Sequence, residues 1–156
     1  MVLNVPVETF SRETLHPSYV TGFVDADGSF TYSRSGNQIS LYFAVKLTAV
    51  DRPILEDIQA FFGGIGTIYD VKAKALGNRS GATKTAAYLR VSRREELSRV
   101  VEHFDAHPLR TTKAQIYEIW RLMFLAKQHF RNPDREALNA LAEEISRRTT
   151  RRQSWR

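Results

Sequence analysis

The sequence predicts a single α+β domain in which a twisted, four-stranded antiparallel sheet carries helices on one face. Two observations lead to this prediction. Segments with helical and strand periodicity follow one another in the order αββαββα, a weak repeat of one helix with one hairpin. The chain also has 156 residues, a usual length for one domain and enough to bury about two-thirds of the unfolded surface.

The first helix and the hairpin after it carry the clearest local signals. The helix is expected from about His16 to Asp25, because Pro17 suits a first helical turn. The first strand then reaches Ser35, and the sequence Ser35-Gly36-Asn37 is favourable for a hairpin turn. The return strand, residues 38–48, alternates between two sets of side chains, so one face should be core and the other solvent-exposed.

The second half repeats this pattern and adds helices. A helix that Pro53 enters early should end at Gly63-Gly64, and the Gly-, Ala-, Ser- and Lys-rich loop 73–83 is expected to be mobile. The remaining predicted elements are strands at about 65–72 and 84–92, and helices at about 93–104, 112–130 and from 133 onward. Residues 1–14 should form a loose arm, residues 15–146 the domain, and residues 147–156 an Arg-rich tail that is disordered on its own.

Composition limits the classes of protein that fit. The chain has no cysteine, which excludes a disulfide scaffold and a cysteine-based zinc site. No apolar run approaches the ~20 residues of a membrane span, so we expect a soluble intracellular protein, with cytoplasm or organelle undecided. The net charge of +6 favours a polyanion, and nucleic acid rather than a membrane. Charge alone fits a generic basic protein equally well.

The stretch from Tyr19 to Phe30 places two carboxylates, Asp25 and Asp27, where the first helix gives way to a strand. Negative side chains at a helix C-terminus oppose the macrodipole by roughly 0.3–1 kcal/mol each. A bound cation would reverse that interaction, which indicates a metal site. The alternative is an ordinary Asp-x-Asp-Gly turn. An EF-hand loop is excluded, because its sixth position requires glycine and this chain has Phe30 there.

The segment Tyr19-Val20-Thr21-Gly22-Phe23-Val24-Asp25-Ala26-Asp27-Gly28 resembles the LAGLIDADG motif of homing endonucleases. Gly22 and the terminal Asp-Ala-Asp-Gly are the strongest matches. A second segment, residues 104–113, resembles the part of these proteins that leads to an active-site lysine, here Lys113. The element order is also similar to that of the family, so the resemblance covers residues 15–130.

The resemblance implies a single-motif protein that works as a homodimer. In such proteins two motif helices pack side by side, and Gly22 would let their backbones approach closely. The residues expected at this interface are Tyr19, Gly22, Phe23 and Asp25.

It also implies the catalytic residues. Asp27 would ligate a divalent metal and take part in catalysis, with the Ala26 carbonyl as a second metal ligand. Asp25 more readily caps or braces the helix end. Lys113 would polarise the scissile phosphate; the alternative is a solvated surface lysine. The expected cofactor is Mg²⁺, with Ca²⁺ or Mn²⁺ able to substitute in binding.

One position departs from the family pattern. Near the end of the second strand the family often has a glutamine that contacts metal-bound water, and Leu47 stands at the matching position. Either a polar neighbour such as Lys46 or Thr48 replaces it, or activity is reduced.

The polar sheet face would lie in the major groove of double-stranded DNA, where the pattern of base edges is unique. For each single residue, a solvated face is an equally good interpretation. The expected DNA-binding residues on the strands are Thr31, Ser33, Ser35, Ser40, Tyr42, Ala44, Lys46, Tyr69, Val71, Tyr88 and Arg90, with Arg34, Lys72 and Lys84 near the turns.

The resemblance therefore implies a Mg²⁺-dependent, site-specific endonuclease that cuts both strands of a long pseudo-palindromic DNA site and promotes mobility of an intron or intein. The alternative is a catalytically weak or inactive binding protein of the same fold, either a maturase that binds intron RNA or a DNA-binding regulator. A basic interaction domain without catalytic function is a third interpretation.

Overall fold

The computed structural model describes residues 13–72 and 85–153. The helices are α1 (Pro17–Asp27), α2 (Arg52–Phe61), α3 (Arg94–Ala106), α4 (Lys113–His129) and α5 (Arg135–Gln153). The strands are β1 (Gly28–Ser35), β2 (Gln38–Thr48), β3 (Thr67–Val71) and β4 (Ala86–Val91). Within these described residues, no helix is long and apolar enough to cross a membrane. The predicted loop 73–83, Lys84 and nearly all of the predicted arm lie outside the described residues.

The four strands form one antiparallel sheet in the order β1-β2-β4-β3. The pairing of Ser35 with Gln38 leaves a two-residue turn, and Gly36 takes the positive φ of 58° that such turns require. Helices cover one face of this sheet, so the predicted α+β fold is confirmed.

An aromatic cluster fills the space between the sheet and the helices. The ring of Phe30 on β1 lies 5.4 Å from Phe43 on β2, 5.2 Å from Phe104 on α3, and 4.9 and 5.4 Å from Tyr117 and Trp120 on α4. Several of these pairs are tilted or edge-to-face, the geometries that aromatic rings prefer. Because Phe30 follows α1 by three residues, this core fixes the strand that leaves the first helix.

The C-terminal tail corrects the sequence prediction, because α5 continues through the expected disordered segment to Gln153. Leu138, Ala142 and Ile145 bury one side of α5, and α4 is the helix it contacts most extensively. Beyond Ile145 the contacts are polar: Arg148 donates to Glu144 at 2.7 Å and to Gln115. Apolar periodicity cannot reveal a helix that is held by side-chain hydrogen bonds, so the sequence missed this extension.

Candidate active site and nucleic-acid interface

The first helix and the first strand are joined without a loop. The helix ends at Asp27, two residues later than predicted, because the backbone amide of Gly28 still donates to the carbonyl of Val24. A Cβ atom on Gly28 would lie 2.5 Å from Cγ1 of Val24, a distance that no side chain tolerates. Glycine at this position therefore allows the turn, and it places the exposed carboxylate of Asp27 at the junction.

Asp27 borders a pocket of about 410 Å³ between the end of α1, the sheet, α4 and α5. Its charged lining consists of this one acid and three bases, Lys46, Lys113 and Arg152. The rest of the lining is small or polar for the most part and includes Ala26, Ser29, Thr31, Thr149 and Gln153. An excess of positive charge around one carboxylate suits a phosphate group better than a neutral ligand.

Asp25 connects the end of α1 to the segment before α4. Its carboxylate accepts hydrogen bonds from the backbone amides of Arg110, at 2.8 Å, and Thr111, and from the Thr111 hydroxyl at 2.6 Å. Burial alone would raise the pKa of Asp25, but these hydrogen bonds and the charge of Lys113 lower it below its ordinary value. The side chain is 7% exposed and faces its own chain. This fits the bracing role, and the expected place of Asp25 at the dimer interface stays a prediction.

Lys113 begins α4 and is only 5% exposed, so it is not a solvated surface lysine. Its ammonium group donates to the carbonyl of Val24 at 2.8 Å. This bond attaches the N-terminus of α4 to the C-terminal end of α1, where a positive charge interacts favourably with the helix dipole. Lys113 therefore lies in a fixed position beside Asp27.

Leu47, the position that departs from the family pattern, faces the core in the structure. The side chain of Leu47 packs against the core, because β2 alternates and Leu47 shares a face with Phe43 and Val45. Lys46 lies on the opposite, exposed face and lines the Asp27 pocket. Of the two polar neighbours, Lys46 lines the pocket, whereas Thr48 donates to Asp51 outside it.

The uncovered face of the sheet is polar and aromatic, and most of the predicted DNA-binding residues lie on it. Arg90 lies over the ring of Tyr42, with Cζ 3.8 Å from the centroid. The rings of Tyr69 and Tyr88 stack at 5.3 Å, and Lys46 lies over Tyr88. The strand pairing also places Thr31, Ser33, Ser35, Ser40, Ala44 and Val71 on this face.

Some predicted residues are placed differently. Arg34 lies on the helix-covered face, since it alternates with Ser33 and Ser35, and it donates to Asn139 of α5 at 2.6 Å. Ala44 is 8% exposed and offers little surface. Lys72 follows β3 and is exposed.

One side of α1 is open. Tyr19 is 47% exposed, and its ring lies 6.0 Å from that of the half-buried Phe23. Apart from its chain neighbours and the backbone of its own helix, no heavy atom of the described residues lies within 4 Å of the position that a Cβ on Gly22 would occupy. The helical spacing places Gly22 and Ala26 on the same side. This surface combines small residues with aromatic rings, as expected where another helix packs closely.

The opposite side of α1 is held by a buried histidine. The Thr21 hydroxyl donates to the carbonyl of His107 at 3.0 Å, so His103 must donate from Nε2 to Thr21, also at 3.0 Å. The imidazole of His103 is 8% exposed and contacts the rings of Phe61 and Phe104 edge-on. Burial, with a smaller effect of His107, lowers the pKa of His103 to about 4.

A family model described as LAGLIDADG endonuclease matches residues 20–124 of the chain. The chain belongs to the LAGLIDADG endonuclease family. The match begins within α1 and ends within α4, so it includes the helix that carries Asp27 and the helix that begins at Lys113.

Two relatives of this LAGLIDADG protein come from fungi. An uncharacterized 50.9 kDa protein in ND4 intron 1 of Podospora anserina is 34% identical over 122 residues, which are 72% of this chain and 24% of that protein. "Probable intron-encoded endonuclease 2" of Neurospora crassa is 31% identical over 107 residues, 64% of this chain and 22% of that protein. The chain thus spans about a quarter of the length of the curated relatives it matches.

Solved structures of LAGLIDADG homing endonucleases share the fold. I-GzeII in complex with its DNA target matches with a TM-score of 0.64 and 25% identity, over 84% of this chain and 42% of that one. I-SmaMI, bound to uncleaved DNA in the presence of calcium ions, matches with a TM-score of 0.69 and 26% identity, over 85% of this chain and 45% of that one. I-TnaI matches with a TM-score of 0.60 and 25% identity, over 85% of this chain and 99% of that one.

The oxygen atoms of the pocket suit a hard cation whose remaining ligands come from phosphate and water. In residues 13–72 and 85–153, no group of three or more His, Asp or Glu side chains could hold a metal ion. One chain therefore offers the carboxylate of Asp27, with the Ala26 carbonyl beside it. Mg²⁺ needs only one or two carboxylates when phosphate oxygens and water complete its octahedron. The pocket fits such an ion together with a phosphate, and it does not form a complete protein cage.

Sequence reasoning missed the contribution of α5. Thr149, Arg152 and Gln153 line the pocket, although the sequence analysis assigned them to a disordered tail. The sequence analysis named Lys46 as a DNA-binding residue and as one possible substitute for glutamine, and the alternation of β2 already separates it from Leu47. No sequence signal indicated where α5 would end.

We expect the buried histidine to make folding stability depend on pH. The unfolded chain protonates His103 near pH 6.5, whereas the folded chain resists protonation until about pH 4. Between these values the unfolded state binds more protons, so stability should fall with decreasing pH by up to roughly 1 kcal/mol per unit. The measurement is chemical unfolding of wild type and His103→Gln between pH 7 and 4.5.

The glutamine variant retains a donor for Thr21 but cannot titrate, so its stability should vary less over this range. His129→Gln, which changes an exposed histidine on α4, serves as the control and should behave like wild type. An unchanged pH dependence in His103→Gln would contradict the assignment. Asp25 does not interfere, because its lowered pKa removes stability only at more acidic pH.

Proposed function

We propose that this chain is a site-specific homing endonuclease that acts as a homodimer on a long, pseudo-palindromic double-stranded DNA site and hydrolyses both strands with Mg²⁺. The observation that carries the proposal is the position of Asp27. It is an exposed carboxylate at the end of the motif helix, beside two lysines and at the edge of the uncovered sheet face.

Each residue of the pocket has a role in this proposal. A divalent metal would supply activation of water and charge stabilisation at the scissile phosphate. Asp27 and the Ala26 carbonyl would hold it. Lys113, fixed by its bond to Val24, would direct its positive charge to the phosphate. Lys46 projects from β2 into the same pocket and would orient water in place of the family's glutamine.

The uncovered sheet face supports DNA as the substrate. Its polar side chains run along β1, β2 and β4 toward the pocket, so the base-reading surface and Asp27 are continuous. Arg90 is the strongest candidate for base recognition, because Tyr42 holds its guanidinium in place and a fixed arginine fork pairs with guanine. Exposed Lys72 would contact phosphate and add affinity without sequence discrimination.

The open side of α1 supports a homodimer. A second motif helix placed against Gly22 and Ala26 would bring a second Asp27 carboxylate to the two-fold axis, beside that of the first chain. The lengths of the matched structures support this proposal. The fold covers 99% of the I-TnaI chain but only 45% of the I-SmaMI chain, so one such domain corresponds to a whole chain in one case and to half in the other.

The inactive alternative loses its main observation. It was favoured by an apolar Leu47 at a position that should be polar, but Leu47 faces the core and Lys46 faces the pocket. A maturase that binds RNA or a DNA-binding regulator is therefore an outcome of the test below, not a second proposal.

The decisive experiment is selection from a randomised duplex library with Mg²⁺ and, separately, with Ca²⁺. Discrete double-strand cuts within a two-fold-related sequence, found with Mg²⁺ only, are expected. Enrichment of bound duplexes without cuts in either metal would refute the nuclease and favour the regulator. Binding of structured RNA in preference to DNA would favour the maturase.

Asp27→Asn tests the metal assignment. The variant keeps the shape of the side chain but removes the charge that a cation needs, so cleavage with Mg²⁺ should be abolished. Affinity for the selected duplex in EDTA should be retained, since the sheet face is unchanged. Cleavage is followed by gel electrophoresis and affinity by fluorescence anisotropy. A fully active variant would show that Asp27 is not the metal ligand.

Gly22→Leu tests the dimer. Because nothing described contacts this position within the chain, the monomer should fold normally and gain about 0.8–1 kcal/mol of helix propensity. Crowding between two helices should cost about 1–3 kcal/mol, which weakens dimerisation by roughly 5- to 150-fold. Sedimentation velocity measures the change, and Ala140→Leu on exposed α5 is the control. An unchanged profile would place the dimer contact elsewhere.

Lys113→Ala tests the role of the buried lysine. Loss of a preorganised charge next to the scissile phosphate should slow cleavage by roughly 10²-fold and change DNA affinity much less. Lys127→Ala is a matched control, because Lys127 lies on the same helix and also bonds a backbone carbonyl, that of Ile39, outside the Asp27 pocket. Equal rates for the wild type and Lys113→Ala would assign Lys113 a structural role only.

A further inference from the structure

The last turn of α5 returns to the end of the motif helix. Arg152 donates from Nη2 to the carbonyl of Asp25 at 3.1 Å. Its Nη1 donates to the hydroxyls of Thr112, at 2.7 Å, and Thr111, at 3.2 Å. One guanidinium thus connects α5, the C-terminal end of α1 and the start of α4.

The hydrogen bonds around Thr111 form a closed set. Its hydroxyl donates its one proton to the carboxylate of Asp25 and accepts from Arg152 and from the amide of Lys113. A hydroxyl has one donor and two acceptor sites, so all of its capacity is used. Arg152 therefore belongs to the same network that orients Asp25, and it is not a surface arginine that happens to lie nearby.

The network acts on the carbonyls at the C-terminal end of α1. Lys113 bonds the carbonyl of Val24, and Arg152 bonds the carbonyl of Asp25. The carbonyl of Val24 also accepts from the amide of Gly28, and a cation near the carbonyls of a helix C-terminus is favourable because of the helix dipole. The two bonds together restrain the turn whose final residue is Asp27.

We propose that Arg152 is a positioning residue for the metal-binding end of α1, so that the C-terminal helix is a working part of the active site. This inference rests on the proposed function. Arg152 holds the backbone that presents Asp27 and the Ala26 carbonyl, and it adds positive charge to the pocket that they share. Arginine is needed because its two Nη groups reach different acceptors at once, which a single ammonium group cannot do in the same geometry.

The fold does not depend on this contact. The buried residues that anchor α5 are Leu138, Ala142 and Ile145, which precede Arg152 by two or more turns. Removal of the guanidinium should therefore loosen the end of α1 without detaching the body of α5. This separation makes a positioning role distinguishable from a structural one.

The experiment compares wild type, Arg152→Ala, Arg152→Lys and Arg147→Ala as full-length chains on the selected duplex. Arg147 is the matched control: it lies on the same helix, is exposed and pairs with Glu144 outside the pocket. Three quantities are measured for each protein. They are the thermal unfolding midpoint, the duplex affinity in EDTA and in Ca²⁺, and the cleavage rate with Mg²⁺.

Arg152→Ala should unfold near the wild-type temperature and bind duplex in EDTA only a few-fold more weakly than wild type, because it removes one of the three positive charges that line the pocket. The gain in affinity that Ca²⁺ gives the wild type should shrink, and cleavage should slow, by about 10- to 100-fold, the usual effect of removing a partner that orients metal ligands. Arg152→Lys should recover part of both losses, and Arg147→Ala should match wild type.

Wild-type cleavage and a wild-type calcium effect in Arg152→Ala would overturn this inference and leave the proposed function intact. A lower unfolding temperature with an equal loss of affinity in EDTA would also overturn it, because that pattern is purely structural. If the wild type itself neither cleaves DNA nor responds to Ca²⁺, the proposed function fails and the inference fails with it.

Discussion

The hydrogen bonds to the carboxylate of Asp25 are the contacts on which the candidate active site depends. This carboxylate accepts hydrogen bonds from two backbone amides and one hydroxyl of residues 110–111, and the positive charge of Lys113 acts on it. Hydrogen bonds to a charged group contribute about 1.5–3 kcal/mol each, so this cluster can fix the segment before α4 against the end of α1. Lys113 and Arg152 then reach the carbonyls of the same turn. Two distant parts of the chain are thereby held at one helix terminus.

This network changes how the two acidic residues of the motif are understood. At the level of sequence, both carboxylates oppose the helix dipole, and both suggest a cation. In the structure Asp25 is already compensated by hydrogen bonds and by Lys113, whereas Asp27 points into an open pocket. The first residue is part of the framework and the second is available for chemistry. Their one-residue separation puts them on different sides of α1.

Much of the fold could be predicted from the sequence, because its signals are local. Pro17, the Gly36 turn and the alternation of β2 determine the first helix and hairpin, and the motif indicates where Asp27 lies. The features that were missed depend on tertiary contacts. The helical continuation to Gln153 is held by polar side chains, and the Arg34–Asn139 bond requires knowledge of where α5 packs. The partners of Asp25 could not be predicted for the same reason, since they lie 85 and 86 residues away in sequence.

The absence of a loop between α1 and β1 has a consequence for how the molecule measures DNA. Gly28 is both the residue after Asp27 and the first residue of β1, and contact with Val24 leaves no space for a larger side chain there. In the proposed enzyme, the metal-binding carboxylate and the strand that contacts bases are adjacent in sequence, with no flexible segment between them. The distance between the recognised bases and the cleaved bond is therefore fixed by the fold. Changing side chains on the sheet can alter which sequence is recognised, while the position of the cut within it stays the same.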